Sequence, residues 1–463
     1  MAYKRGFIPY ALSALLIGLV GGFSSVLGPA FVKQIGIAYN NTAWPALAQA
    51  MSTAACAPIL GKVADVIGRR RTLLGGIFVF TIGNILTALA NSLWFMMVSR
   101  FVVGIGTAAI APVILAYIAT QFPQNQVAKG FSLYMLISSA SVIIGPTVGG
   151  LIIAAYGWRT MIWVCVGICT AILSACILTS RNEPNTKTRL QNFDIFGAVL
   201  IVIFFSLLLC IPSFGQNFGF KSAPFLFVLF ASLVALLGLV MAEKRAAQPI
   251  LYGKFMVRRA FIFSVLALFL TQGLMQANMT NTIVFVNYTQ PSNTAVSGYA
   301  ISVMYLGMAL GAVVLGPLAD KFSPKRILTV SFVLTGIGCG IFLLFTQAVS
   351  AFVIMISLGI LGFGLGANAT VLLKVVLSGL PADKAGAATG TYGLFRDLAA
   401  PFGVAVFVPL FTNRIANTIT AGVSEPAAAV DSIHYLAVAE IFCVALGIVA
   451  VALLPNKKGE KEQ

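Results

Sequence analysis

About fourteen runs of mostly apolar residues, each close to twenty residues long, constrain the fold of this chain more than any other feature. A helix of about 20 apolar residues crosses the hydrocarbon core of a bilayer. In that core every backbone polar group must be bonded internally, so helices are the simplest solution. Only 9% of the residues are charged, against about 25% in a soluble domain. The runs therefore predict an all-α polytopic membrane protein.

The predicted spans alternate with short polar connections and fall into three groups. Six precede a polar linker, two follow it, and six more follow a second basic connector. The predicted spans are 7–29, 44–60, 73–89, 94–116, 131–154, 161–178, 195–211, 225–241, 261–284, 299–316, 328–345, 352–373, 388–411 and 435–454. The grouping predicts an N-terminal six-helix bundle over 1–183, a linker with two additional helices over 184–254, and a C-terminal six-helix bundle over 255–463.

The distribution of charge predicts how the chain is oriented. The net charge is +17, and the lysines and arginines cluster in alternate connections. The opposite connections carry only Lys33, Arg159, Lys221 and Arg414. An excess of lysine and arginine marks cytoplasmic loops, so both termini are expected to be cytoplasmic, in a cytoplasmic membrane. Because the charge lies in loops between apolar spans, it does not indicate nucleic-acid binding.

A basic loop over 61–71 recurs later in the chain. The sequence Ile59-Leu-Gly-Lys-Val-Ala-Asp65 is echoed by Val314-Leu-Gly-Pro-Leu-Ala-Asp320, an offset of 255 residues (320 − 65). Two such loops in register indicate a duplicated architecture. Two related halves that rock about a central site can expose that site to each side of the membrane in turn.

Several motifs resemble the major facilitator superfamily, in particular its fourteen-spanner drug:proton antiporter branch. They are the loop 61–71, the run from Arg100 to Pro112, the pattern Gly145-Pro146-x-x-Gly149-Gly150, Trp158-Arg159, the segment 194–197 and the segment 243–249. The resemblance implies a monomeric multidrug efflux antiporter that acts by alternating access. It implies small-molecule drugs, protons and the lipid bilayer as partners, and the proton gradient as the driving force without a cofactor. One departure concerns the first span, where Val20 stands at a position that this branch often fills with aspartate.

Two groups of residues are candidates for conformational gating. Asp65 in the basic loop is expected to latch neighbouring helix ends in one state and release them in the other, although a topology anchor made of arginines is the alternative. Proline and glycines in the fifth span allow a hinge or a tight seal, with ordinary small-residue packing as the alternative. The gating candidates are Gly61, Asp65, Gly68, Arg69, Arg70, Asp320, Gly145, Pro146, Gly149 and Gly150.

Three ionisable residues within apolar spans are candidates for proton coupling. Asp397 lies about mid-span and is the favoured acid, with a structural ion pair as the alternative. Glu440 lies in the last span and is a second proton site or a site for a cationic substrate, unless it reaches the outer interface or pairs with His434. Arg100 is expected to modulate the pKa of a carboxylate or to hold water for proton transfer, unless its side chain snorkels to the outer face.

Polar residues in otherwise apolar spans are candidates for the substrate cavity. Gln272, Gln276 and Thr280 are spaced by four residues, so they share one helix face that must look into a cavity or onto another helix. Asn278 and Asn281 lie nearby in the same span. The full set of cavity candidates is Gln272, Gln276, Thr280, Asn281, Arg396, Tyr392, Ser24 and Ser25.

The remaining sequence features separate the leading function from its rivals. An exporter of a specific metabolite, lipid or siderophore shares the same fold and stays open. A membrane enzyme needs a cluster of histidines or carboxylates at a membrane face, and the chain has one histidine. No phosphate-binding loop, filter repeat or ring of charges indicates an ATP-driven pump or a channel. The seven cysteines fall in apolar runs and are expected to be packing residues, so no metal site is expected.

Overall fold

The computed structural model describes residues 2–25, 27, 30–31, 34, 43–122, 127–179, 195–245, 256–293, 295–378 and 382–455, apart from some side chains within the helices. Over these residues the regular secondary structure is entirely helical. Ten stretches are long and apolar enough to cross a membrane, and the shorter apolar helices Phe7–Phe23, Ala140–Tyr156 and Val199–Pro212 add to them. The chain is therefore a multi-pass membrane protein. A total of fourteen transmembrane helices stays a prediction.

The helices are numbered in chain order. They are α1 Ala2–Ser25, α2 Ala43–Ile67, α3 Arg69–Ala88, α4 Leu93–Gln121, α5 Val127–Tyr156, α6 Trp158–Thr179, α7 Ile195–Phe218, α8 Ala223–Arg245, α9 Arg259–Thr289, α10 Ala295–Lys321, α11 Pro324–Ile341, α12 Ala351–Leu365, α13 Asn368–Leu377, α14 Ala382–Thr420 and α15 Glu425–Ala452. A single 3₁₀ turn, Phe342–Leu344, follows α11.

The chain divides into two compact units, and the first contains Met1–Leu208 together with Phe227–Gln248. In this unit α1 packs on α5 and α6, α4 packs on α2 and α3, and α3 also packs on α6. Glycines set the close approaches. Gly83 lies against Val103, and Gly106 lies against Phe80, so α3 and α4 run antiparallel with their backbones nearly touching.

The second unit contains Leu209–Leu226 and Pro249–Gln463. Here α9 packs on α14 and α15, α12 packs on α10 and α11, and α11 also packs on α15. These pairings repeat those of the first unit when α1 to α4 are matched with α9 to α12, α5 with α14 and α6 with α15. Gly338 lies against Leu361 as Gly83 lies against Val103. The echo of the basic loop in the sequence is thus accompanied by an echo in helix packing.

The predicted loop over 61–71 is corrected by the structure. Helix α2 continues to Ile67 and α3 begins at Arg69, so a single residue separates them. That residue is Gly68, whose φ of 102° and ψ of 140° favour glycine. The helix continues because its backbone hydrogen bonds are internal and do not depend on the polarity of the side chains. Gly61 therefore lies within a helix and not in a turn.

The predicted span 352–373 lies within one apolar stretch, Ala351–Leu377, that is long enough to cross a membrane. Within it, Gly366 and Ala367 separate α12 from α13. The last helix begins at Glu425, ten residues before the predicted start of its span at Tyr435, because α15 extends beyond the apolar stretch.

Candidate functional site

A carboxyl group is enclosed in the second unit between α15, α9 and α11. Glu440 has no exposed surface, and its Oε1 accepts a 2.9 Å hydrogen bond from Nδ2 of Asn278. The same Nδ2 donates to the carbonyl oxygen of Leu274, so the amide is fixed by its own helix. No described lysine, arginine or histidine forms a salt bridge with Glu440. The carboxyl group is therefore buried in the apolar interior, where its described hydrogen-bond donor is a neutral amide.

Further polar groups are buried in the same unit, and several of their atoms have no hydrogen-bond partner. The thiol of Cys339 lies beside the Glu440 carboxyl group. Among the described residues, Oε2 of Glu440, Oδ1 of Asn278 and both amide atoms of Asn281 have no hydrogen-bond partner. Buried polar atoms are rarely left unsatisfied, so the unbonded Oε2 of Glu440 and Oδ1 of Asn278 single out the Glu440–Asn278 pair as a candidate site.

The packing of α11 on α15 places Cys339 opposite Glu440. Gly336 lies against Val444, and Gly447 lies against the ring of Phe332. These contacts run in opposite directions along the two helices, as an antiparallel pair requires. Because the register is fixed by two glycines, the neighbourhood of the carboxyl group is set by backbone packing.

In the first unit, an arginine is buried between two helices. Arg100 of α4 is 2% exposed, and its Nη1 donates a 3.3 Å hydrogen bond to Oε1 of Gln49 on α2. The interpretation that Arg100 snorkels to the outer face is therefore wrong. Gly104, one turn further along α4, lies against Gln49 and Ser52, and this close approach brings Gln49 within reach of the guanidinium.

The proline-glycine motif of the fifth predicted span makes a backbone contact. A Cβ atom added to Gly145 would lie 2.7 Å from Cα of Gly22 on α1, and one added to Gly22 would lie 2.8 Å from Cα of Gly145. Pro146, Gly149 and Gly150 are buried, and α5 continues through the proline. The second unit has the same contact, between Gly273 of α9 and Gly403 of α14.

The other gating and cavity candidates are not brought together by the described contacts. Arg69 and Arg70 are half-buried beside Gly68. Gln272, Gln276 and Thr280 are half-buried, whereas Asn281 is fully buried. Tyr392 is 2% exposed and its hydroxyl donates to the carbonyl oxygen of Ala369, while Arg396 is exposed. The side chains of Ser24, Ser25, Asp65, Asp320 and Asp397, and the surroundings of Gly61, lie outside the described part of the chain.

Sequence reasoning missed two partners. The interpretation that Glu440 pairs with His434 is wrong, because His434 bonds the carbonyl oxygen of Phe345. In the sequence Asn278 is only a neighbour of the predicted cavity face, whereas in the structure its amide binds the Glu440 carboxyl group. Gln49 was not singled out, although an isolated glutamine in an apolar span was the available signal.

The comparisons with known proteins agree with this architecture. A model of the Major Facilitator Superfamily matches residues 10–289 and 242–404. Multidrug transporter protein MdtP of Bacillus subtilis (strain 168) is 26% identical over 405 residues, which span 86% of this chain and 73% of that protein. Multidrug resistance protein 3 of the same strain is 24% identical over 424 residues, spanning 90% and 82%.

Two further proteins widen the comparison. Riboflavin transporter RibZ of Clostridioides difficile (strain 630) is 24% identical over 406 residues, spanning 86% of each chain. The crystal structure of a bacterial homolog to the human lysosomal transporter Spinster, in an inward-facing and occupied conformation, matches with a TM-score of 0.70. Its sequence identity is 12%, with 98% of this chain and 96% of that chain covered, so it supports the fold alone.

Proposed function

Because this chain belongs to the Major Facilitator Superfamily, we propose that it is a proton-coupled antiporter that exports amphipathic, cationic drug-like compounds by alternating access. It would act in the cytoplasmic membrane with both termini cytoplasmic, as the distribution of basic residues predicts. Relatives named as multidrug transporters support the substrate class. The substrates would leave the cytoplasm or the inner leaflet while protons enter.

The buried carboxyl group of Glu440 is the observation that carries proton coupling. Among the described side chains it is the one acid that is fully buried. An ionisable residue inside a membrane domain is costly, so it is a functional candidate by default. Asn278 holds Oε1, and the thiol of Cys339 lies beside the carboxyl group, so Oε2 would be the atom that takes up and releases a proton.

Asp397 remains the acid that the sequence favours, in the predicted span 388–411. We propose that the two carboxyl groups share the coupling. The proton and the cationic substrate would compete for Asp397. Gln272, Gln276 and Thr280, which are half-buried on one face of α9, would line the substrate path. Arg100 would set the protonation of an acid that approaches it during the transport cycle.

The test uses inverted membrane vesicles, a fluorescent lipophilic cation and an imposed pH gradient. We expect Glu440→Gln and Asp397→Asn each to abolish gradient-driven uptake and substrate-dependent proton movement while the protein still folds. The matched control is Asp431→Asn, which changes an exposed acid of the same helix α15 that pairs with Arg414 at 2.9 Å. Asp431→Asn should keep the uptake.

The outcomes separate the assignments. Full coupled uptake by Glu440→Gln would remove Glu440 from the proton path and leave Asp397 as the candidate. Full uptake by both variants would refute proton coupling through these acids. Uptake by the wild-type protein that ignores the gradient would refute the antiport mechanism itself.

The second candidate function is proton-coupled export of a specific metabolite, lipid or siderophore. The relative named as a riboflavin transporter favours it, because the match covers 86% of this chain, the same share as the match to MdtP. A substrate panel in the same vesicles distinguishes the two functions. Many weakly bound cations indicate a multidrug exporter, whereas one tightly bound compound such as riboflavin indicates a specific one.

A further inference from the structure

A groove opens between α2, α3 and α4 of the first unit, at the arginine-rich end of α3. Its volume is ≈ 240 Å³, and apart from Arg71 and Thr72 its walls are apolar side chains and glycines. Gly75 forms part of the wall, and a Cβ atom added there would meet nothing within 4 Å. The groove is therefore open at Gly75. It lies beside the α3–α4 contact, where Gly76 packs against Ala109.

The groove continues as an exposed apolar track along the two helices. On α3, Gly75, Val79 and Ile82 follow each other at helical spacing, and Ile82 is 37% exposed. On α4, Ile105 of the groove is followed toward the other end by Phe101 and Val98, which are 45% and 60% exposed. In a membrane such a face lies against acyl chains.

The mouth of the groove is positively charged. Arg71 lines it and is exposed, and Arg69 and Arg70 precede it at the start of α3. Charges of this kind cannot lie in hydrocarbon, so this end of α3 lies at the level of the lipid head groups. The partial positive charge of the helix N-terminus adds to the attraction for an anion. Basic pockets between transmembrane helices are suited to anionic head groups.

We propose that this groove binds one anionic phospholipid, with its phosphate on Arg71 and an acyl chain beside Gly75 that follows the track toward Val98. The charge of the mouth selects the head group, and the apolar walls accept the chain. A lipophilic cation is disfavoured here, because Arg71 repels it. This site is separate from Glu440 and Asn278 in the second unit, and it does not depend on the proposed transport function.

The experiment is native mass spectrometry of the full-length protein after removal of copurified lipid. Palmitoyl-oleoyl phosphatidylglycerol is titrated against phosphatidylcholine with the same acyl chains, and bound lipid is counted. We expect the wild-type protein to retain one phosphatidylglycerol in preference to phosphatidylcholine. Arg71→Gln should weaken the binding of phosphatidylglycerol about fivefold, as expected for the loss of one arginine near a charged head group. Gly75→Leu should abolish the retained lipid, because its side chain fills the groove.

The chain provides matched controls for both variants. Gly167→Leu adds the same side chain at an exposed glycine of α6 that also has nothing within 4 Å. Arg326→Gln removes the exposed arginine that occupies the position of Arg71 in the second copy of the loop. Both controls should retain the lipid as the wild-type protein does, and size-exclusion profiles confirm that each variant is folded.

Three results would overturn the proposal. The first is equal retention of the two lipids by the wild-type protein, and the second is unchanged phosphatidylglycerol binding by folded Gly75→Leu. The third is a loss in the controls as large as in the variants, which would indicate general adsorption. If Gly75→Leu does not fold, the smaller change Gly75→Ala and the exposed Arg71→Gln decide the outcome, and unchanged binding by both refutes the site.

Discussion

The contact between Gly22 and Gly145 gives a sharp prediction about packing. Replacing Gly22 with alanine puts a Cβ atom 2.8 Å from Cα of Gly145 and 2.9 Å from Cδ of Pro146. Carbon atoms pack best at about 3.5–4.0 Å, so α1 and α5 must separate by about 0.7 Å (3.5 − 2.8) or more. Overpacking of this kind costs about 1–3 kcal/mol. Gly22→Ala should therefore lose stability through this one contact.

The neighbouring glycine is the matched control. A Cβ atom added to Gly21 meets nothing within 4 Å, although Gly21 lies in the same helix. Both substitutions gain the same helix propensity, about 1 kcal/mol, so the difference between the variants isolates the clash. We expect Gly22→Ala to be less stable than Gly21→Ala by about 1–3 kcal/mol.

The assay is unfolding of the purified protein by a denaturing detergent, followed by helical content, with the two variants measured side by side. The same preparations are reconstituted for uptake, because a looser α1–α5 contact should also alter the exchange between transport states. Equal unfolding free energies for the two variants would refute the reasoning, since they would show that the helices do not approach as closely as these distances require.

Three further predictions follow from the same physical arguments. Gly403→Ala should destabilise the second unit more than Gly273→Ala, since a Cβ atom on Gly403 clashes with Cα of Gly273 whereas the reverse distance is 3.1 Å; equal unfolding curves would contradict this. Gly68→Ala should cost about 1–3 kcal/mol because of the φ of 102°, and unchanged thermal unfolding would show that the break between helices relaxes. Gln49→Leu should lower the free energy of unfolding by roughly 0.6–1.7 kcal/mol because Arg100 loses an acceptor, whereas Gln49→Glu keeps one. Both variants are measured by detergent unfolding, and equal losses of stability would indicate that packing alone is responsible.

The existence of the membrane helices could be predicted because the length of an apolar run is a property of the sequence alone. Their ends could not. Prolines are not among the causes, because the predicted spans 131–154 and 388–411 already run through Pro146 and Pro401, which lie inside helices in the structure. The start of α15 at Glu425 illustrates the difficulty, because hydropathy does not register a helix that continues into polar residues.

The place of Glu440 in the last span could be read from the sequence, but its partner could not, because a sequence does not state which spans face each other. The predicted face of Gln272, Gln276 and Thr280 illustrates the limit. These residues are half-buried, whereas the fully buried polar positions of α9 include Asn278 and Asn281. At about 100° of rotation per residue, the two faces lie roughly 170° apart, on opposite sides of the helix. The cavity-lining role of the face with four-residue spacing stays a prediction, whereas the packing of α15 selects the opposite face for the bond to Glu440.

The bond between Asn278 and Glu440 joins residues that are 162 positions apart, and this has a consequence for biogenesis. During synthesis α9 enters the membrane first. The amide of Asn278 can bind Glu440 only after the following 162 residues have been made. The last helix must then insert while it carries a carboxyl group that the bilayer disfavours. We expect the second unit to complete its packing only after α15 has inserted, so that chains truncated before α15 keep the Asn278 amide bonded to Leu274 alone.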